Sequence, residues 1–358
     1  MHYIALVLFF VFQVERRKVG LAEYSFYLLL LISFAFLVRE GSWDYFGYIE
    51  YYDCSIDASC VPVGFEKSFL YISKVANAIT NTWGFALTFG CYVISAIWIK
   101  MALLKRHAVN FHVALFALVC YGYFIHDLTQ IRVSLAIAIS WLAYIYWMEK
   151  KILLAILCIA GATFFHVSAV LGLVVIAVSG MPTKILLLLT VLAIPIGKYI
   201  AAGDVLFTVP YERLSVYLNA LGSDAILAPQ FNIYVILILV VVCIAYFGGT
   251  AEWSQLERCG LNSMAFGVAI YFSIYYIPAV PIRLLDFFSS LYPFVVAATY
   301  RTYKSNLIKF ILLFSMILLF VNTAIRNNTR MDLIFTWQAI NTDYMSDIQY
   351  EQYLRAQE

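Results

Sequence analysis

Charge is scarce in this chain. Only 12% of its 358 residues are Asp, Glu, Lys or Arg, against about a quarter in an ordinary soluble protein. With 64% of residues hydrophobic, too little polar surface exists to face water all round, which excludes a soluble globule and leaves a polytopic membrane protein. An excess of one sign is missing too. The net charge is +2, and no run of Lys or Arg is interleaved with aromatic residues, so nucleic acid is excluded as a partner. The seven cysteines include no Cys-x-x-Cys and no Cys/His spacing suited to a metal, and no Asp-x-Asp is there to hold a metal-bound nucleotide. No metal or other cofactor is expected. Internal repeats, low-complexity linkers and a second soluble domain are also absent.

What is present is a series of apolar runs. They lie near residues 2–14, 22–38, 84–103, 108–125, 131–148, 152–165, 167–180, 185–200, 231–248, 262–279, 284–300 and 305–322. A span needs about 20 apolar residues, fewer where flanking Arg and Lys snorkel. The expected fold is therefore all-α, with about 12 transmembrane helices forming one domain over residues 1–322. The first run is short enough to lie in the interface, and the pair around His166 could be one long helix with a break. Met1 to Val14 lacks a basic n-region and a small-residue cleavage site, so it is expected to be a retained anchor.

Basic residues cluster at Arg16-Arg17-Lys18, Lys105-Arg106, Lys150-Lys151 and Arg301 to Lys304. Under strict alternation every cluster falls on one side, which the positive-inside rule assigns to the cytoplasm. The outer side then receives loops 39–83 and 201–230 and a polar C-terminal tail, 323–358. In the first loop Phe65, Phe69, Ile72, Val75 or Ala76, and Ile79 recur at helical steps with Lys67, Lys74 and Asn77 between them. That pattern predicts an amphipathic helix in the interface, part of a small extracytoplasmic cap. Cys54 and Cys60 share this loop; either a disulfide joins them on an oxidising side, or they are two unpaired small side chains.

The strong charges recur at the edges of apolar runs: Arg39, Asp44, Glu66, Arg132 behind Gln130, His166 and Arg283. An ionisable group at membrane depth costs about 2.5–3.5 kcal/mol on lenient scales, so such groups are retained where they are used. Under the alternation above all six lie near the outer boundary. Arginine's planar fork binds phosphate oxygens in pairs and stays charged, which suits a pyrophosphate held close to lipid. Transfer of a sugar from such a donor needs charge stabilisation on the departing pyrophosphate and a base for the attacking hydroxyl. Asp44, Glu66 and His166 are the base candidates. Each residue also has a structural reading: snorkelling for Arg39, capping or ion pairing for Asp44 and Glu66, a buried core histidine for His166, and carbonyls freed by Pro278 and Pro281 for Arg283. His126-Asp127 beside Gln130 is a dyad that a loop end could equally collect by chance.

Five stretches carry a resemblance. Arg39-Glu40-Gly41-Ser42-Trp43-Asp44-Tyr45-Phe46-Gly47-Tyr48 resembles the Arg-x-x-x-x-Asp-Tyr-x-x-Tyr opening of the EpsG-like family, a branch of the Wzy-type O-antigen and exopolysaccharide polymerases. Phe65-Glu66-Lys67-Ser68-Phe69 is similar to its Glu-x-x-Phe element, Gln130-Ile131-Arg132-Val133-Ser134-Leu135-Ala136 to its Gln-Ile-Arg-x-x-x-Ala, and Phe165-His166-Val167-Ser168-Ala169 to its Phe-His-x-Ser-Ala. Pro281-Ile282-Arg283 through Phe288 resembles a later Arg-x-x-x-Tyr-Phe element, with Phe287 in place of the tyrosine; Val133 replaces a usual glutamine.

The resemblance implies a metal-independent lipid-donor glycosyltransferase of the bacterial cytoplasmic (inner) membrane, with its site facing the exterior. It would move a growing glycan from undecaprenyl pyrophosphate to the non-reducing end of another lipid-linked repeat unit. On the residues, Arg132 and Arg283 would hold pyrophosphate, Arg39 a third phosphate contact, and His166 or Asp44 would be the base. Glu66 would orient the base or hold an acceptor hydroxyl, with Gln130 and Tyr45 as substrate contacts. The implied partners are undecaprenyl-pyrophosphate-linked glycans, membrane lipid and a chain-length co-polymerase. Rival readings are a flippase for the lipid-linked repeat, which would carry charge at mid-membrane, a glycan ligase, and an O-acetyltransferase.

Overall fold

A computed structural model describes residues 2–15, 18–37, 44–57, 66–80, 82–202, 231–277 and 280–326. Among these residues every regular element is a helix. They run α1 (His2–Val11), α2 (Leu21–Leu37), α3 (Tyr45–Ile56), α4 (Lys67–Ile79), α5 (Gly84–His107), α6 (Phe111–Leu118), a π-helix (Val119–Asp127), α7 (Ile131–Met148) and α8 (Ile152–Phe165). A short 3-10 turn (Val167–Leu171) leads to α9 (Gly172–Ser179), α10 (Thr183–Ala202), α11 (Ile233–Phe247), α12 (Gln255–Ile274), α13 (Val280–Phe288), α14 (Tyr292–Thr302) and α15 (Asn306–Arg326).

Gly84–His107 and Ile131–Met148 are long and apolar enough to cross a membrane. Two bent pairs raise the number to four if each is one span: Val167–Ser179 with Thr183–Tyr199 at 118°, and Val280–Phe288 with Tyr292–Thr302 at 56°. Leu21–Leu37, Phe111–Asp127, Ile152–Phe165, Ile233–Phe247 and Asn306–Asn322 are shorter apolar helices. Among the described residues the protein is all-helical, and its apolar helices are those of a membrane protein.

The chain divides into two compact units, Met1–Val170 with Thr323–Glu358, and Leu171–Asn322. In the first, α7 packs along both α5 and α8, and α4 lies across α3, α5 and α8. Apolar side chains fill the seams, with Val93, Ala96, Ala138, Ala143 and Tyr144 fully buried. The opposite face of α8 leaves Leu153, Ile156 and Leu157 exposed, an apolar surface that suits lipid rather than water. In the second unit α12 is the central helix, touching α9, α10, α11, α13 and α14. Its start is set by a capping box in which Ser254 and Glu257 satisfy each other's backbone N–H.

The structure departs from the sequence pattern at three places. The apolar run 284–300 is a bent pair: α13 ends at Phe288 and a new helix begins with Pro293 in its first turn, where the missing N–H costs nothing. A further helix, α3, precedes the amphipathic one, burying Tyr45, Tyr48, Ile49 and Tyr52 on one face at steps of three and four. The amphipathic helix forms as α4, but its apolar set splits: Phe69 and Ala76 turn inward with Ser68 and Ser73, while Tyr71, Val75 and Ile79 form an exposed stripe. Phe65, Cys60, the loop 203–230 and the tail 327–358 lie outside the described residues.

Candidate active site

The site is built on a column of aromatic rings in the first unit. Tyr48 of α3 meets Phe69 of α4 at 5.6 Å between ring centres, Phe69 meets Tyr92 of α5 at 5.9 Å, and Tyr92 meets Phe165 at the end of α8 edge-on at 5.8 Å. The Tyr92 phenol also donates to the Ser68 hydroxyl at 3.2 Å. Burial of such rings makes a stiff platform whose edge-to-face contacts add to their area. Two of the site's ionisable residues are joined to this column through the chain: Glu66 stands three residues before Phe69, and His166 directly follows Phe165.

On that platform three motif residues converge. Arg132, in the first turn of α7, donates through Nη1 to Oε2 of Glu66, the residue that precedes α4. The other oxygen of the same carboxylate, Oε1, stands 2.8 Å from Nδ1 of His166. His166 has extended backbone between α8 and the 3-10 turn, and Ala169 N–H closes the turn by donating to its carbonyl at 3.0 Å. The side chains of Arg132, Glu66 and His166 are 15%, 12% and 23% exposed, so the trio is recessed yet open on one side.

Tyr48 completes the arrangement. The Arg132 guanidinium carbon lies 5.5 Å from the centre of its ring, a cation–π contact. Burial pushes the Tyr48 phenol up to about 12, with the positive Arg132 pulling the other way and Asp44 adding to the rise. This tyrosine is thus a protonated, positioned ring rather than an acid–base group. The Glu66 carboxylate stands beside Nδ1 of His166 as a close charge pair, a placement from which it can orient the imidazole, with Nε2 left as the ring nitrogen to accept a proton.

The other sequence candidates fall as follows. Gln130 stands at the position just before α7, where its side chain makes no capping hydrogen bond, and is a polar neighbour of the His126 ring. Asp44 is exposed at the start of α3, where its carbonyl accepts from Tyr48 N–H at 2.9 Å. Tyr45 is buried, its ring edge-on to Phe85 and Phe89 at 5.5 and 6.2 Å. Arg283 is exposed on α13 in the second unit, three residues before Asp286, which accepts from the Tyr234 phenol. Arg39 and Trp43 lie outside the described residues. Cys54 is disulfide-bonded, whereas Cys91, Cys120, Cys158, Cys243 and Cys259 are free. Among the described residues no group of three or more His, Cys, Asp or Glu side chains is placed to hold a metal ion.

Lys100 is a residue that the charge pattern missed, because it sits inside an apolar run and not at its edge. Its ammonium is buried between α5, the π-helix and α7, donating to Asp127 Oδ1 and to Ser134 Oγ at 2.9 Å each. A lone lysine in Trp98-Ile99-Lys100-Met101-Ala102 was the signal that could have found it.

The model of the EpsG family matches residues 21–338. No curated protein and no solved structure matches the chain.

Proposed function

The chain belongs to the EpsG family, and from that premise we propose that it is a membrane polysaccharide polymerase. It transfers a growing glycan from undecaprenyl pyrophosphate to the non-reducing end of a second lipid-linked repeat unit, in the synthesis of an O-antigen, capsule or exopolysaccharide. The observation that carries this reading is the trio Arg132–Glu66–His166, one carboxylate shared by a fixed cation and an imidazole at the mouth of a helical bundle.

In the reaction the bond between the donor sugar's anomeric carbon and the pyrophosphate oxygen breaks, and a bond from that carbon to the acceptor hydroxyl oxygen forms. The hydroxyl proton goes to Nε2 of His166, and undecaprenyl pyrophosphate leaves with its electron pair. Arg132 stabilises the charge that develops on the leaving pyrophosphate, the interaction that raises rate because it strengthens in the transition state. Glu66 holds the imidazole in the tautomer that can accept, and Arg132 in reach of the donor. Arg283 and Arg39 are proposed as further phosphate contacts, Asp44 as an alternative base, and Gln130 as an acceptor contact. Tyr45, buried among Phe85 and Phe89, acts through the packing of α3.

The proposed setting is a bacterial cytoplasmic membrane crossed about twelve times, with the shorter apolar helices and the arms of the bent pairs serving as individual spans. The site faces the exterior, supported by the basic clusters that alternate to the other side and by the Cys54 disulfide, which suits an oxidising compartment. A chain-length co-polymerase is the proposed protein partner.

One observation favours a second reading, transport of the lipid-linked repeat: the buried Lys100–Asp127 pair places charge within the bundle. Deletion and complementation separates the two. A polymerase-null strain is expected to display single repeat units on its surface glycan and to regain long ladders with the wild-type gene, but not with Arg132→Ala. Absence of even single repeats outside the cell would favour transport, and intact ladders in the deletion strain would rule out both.

A further inference from the structure

Behind the trio lies a second polar cluster that the reaction above does not use. Lys100 Nζ reaches Asp127 Oδ1 and Ser134 Oγ at 2.9 Å each, and Ser134 Oγ also donates to Asp127 Oδ1. All three residues are at most 1% exposed. They come from three helices: α5, the last residue of the π-helix, and the first turn of α7, where Ser134 stands two residues from Arg132. The Ser134 N–H donates to the carbonyl of Gln130 at 2.9 Å, so the cluster is tied to the backbone that carries both Gln130 and Arg132.

Two features set this cluster apart from a chance ion pair. Taking both charges out of water costs several kcal/mol per ion, and a well-packed apolar pair would often be as stable, so the pair is poorly explained by stability alone. The segment leading into it is a nine-residue π-helix, and π segments are rare and concentrate at functional sites. Next to it, His126 is 3% exposed with no well-formed hydrogen bond at either ring nitrogen, and Lys100, Gln130 and His166 are its electrostatic and polar neighbours. The cluster and the trio therefore share one wall of the bundle.

We propose that Lys100, Asp127 and Ser134 are positioning residues for the transfer site: a charge-paired brace that fixes the register of the π-helix and the start of α7 against α5, and so places Arg132 on the donor pyrophosphate. The brace acts through Arg132 and does not touch substrate. The proposal rests on the reading of Arg132 as the pyrophosphate ligand. A misplacement of about 1 Å can cost about 10²-fold in rate, which is the scale on which the brace matters.

The test uses the purified full-length protein in lipid nanodiscs with a lipid-pyrophosphate-linked repeat unit as substrate. Ser134→Ala, which removes one hydroxyl and leaves the ion pair, is expected to lower kcat about tenfold with KM within about threefold and an unchanged unfolding midpoint. In an Arg132→Lys background the same change is expected to have little further effect, because both act on one group. Lys100→Met with Asp127→Leu is expected to fold and to turn over about 10²-fold more slowly. Full turnover in Ser134→Ala would overturn the proposal, as would an equal loss in both backgrounds, which marks a structural role independent of Arg132. If the double variant does not fold, Ser134→Ala and its coupling decide. A wild-type protein that makes no polymer would instead remove the polymerase reading on which the proposal rests, whereas an active wild type with indifferent Ser134→Ala removes the brace alone.

Discussion

Glu66 serves two partners with its two oxygens, and the consequences can be separated by substitution. Glu66→Gln keeps the shape but loses the charge that holds Arg132 and the His166 tautomer; polymer formation per milligram of protein is expected to fall at least about 10²-fold, the range of a lost acid–base contribution. His166→Gln is expected to fall as far, and the Glu66→Gln, His166→Gln double variant little further, since the two act as a unit. At Tyr48 the ring and the phenol can be told apart. Tyr48→Phe keeps the cation–π contact and is expected to retain most activity, while Tyr48→Leu loses an interaction worth about 0.5–2 kcal/mol. The Tyr48 phenol, raised from 10.0 to about 12 by burial, binds its proton more tightly folded than unfolded. Its share of stability is whole below pH 10 and drains as pH rises through 12, so an ultraviolet phenolate titration should show one late-titrating group fewer in Tyr48→Phe. The trio was legible in the sequence because Glu66, Arg132 and His166 interrupt apolar patterns at their ends. Lys100 was not, because it sits inside an apolar run, and its pairing with Asp127 joins two helices in a way that no spacing encodes.

At the scale of elements, periodicity located most helices within a few residues, since a run of apolar side chains long enough to span or pack has few alternatives. It was least informative where aromatic residues did two jobs. The Tyr45 to Tyr52 stretch carries both a family motif and the inward face of α3, and only the second is a statement about structure. The π-helix from Val119 to Asp127 has no distinct residue pattern and could not be read at all. Close helix packing is visible only in three dimensions. A methyl group added at Gly197 of α10 would stand 2.0 Å from the carbonyl oxygen of Phe272 in α12, backbone against which α10 cannot yield cheaply. Gly197→Ala is therefore expected to lower stability by about 1–3 kcal/mol, read as an earlier thermal unfolding midpoint in detergent with the parent unchanged.

For the whole molecule, composition decided the solvent: with 12% charged residues the surface must be offered largely to lipid. Orientation is a further step, and Cys54 gives a handle on it. A membrane-impermeant thiol reagent is expected to label Cys54 in intact cells only after reduction, and labelling confined to broken cells would invert the orientation. The proposed transfer is a question of chemistry more than of fold. Reconstitution addresses that chemistry directly. The full chain in nanodiscs is given a single undecaprenyl-pyrophosphate-linked repeat unit and no nucleotide sugar, and products are resolved by gel. A ladder rising by one repeat unit per rung, lost in Arg132→Ala at equal folded protein, is the result expected. A substrate recovered unextended by the wild-type protein, or a ladder undiminished in Arg132→Ala, would contradict the account.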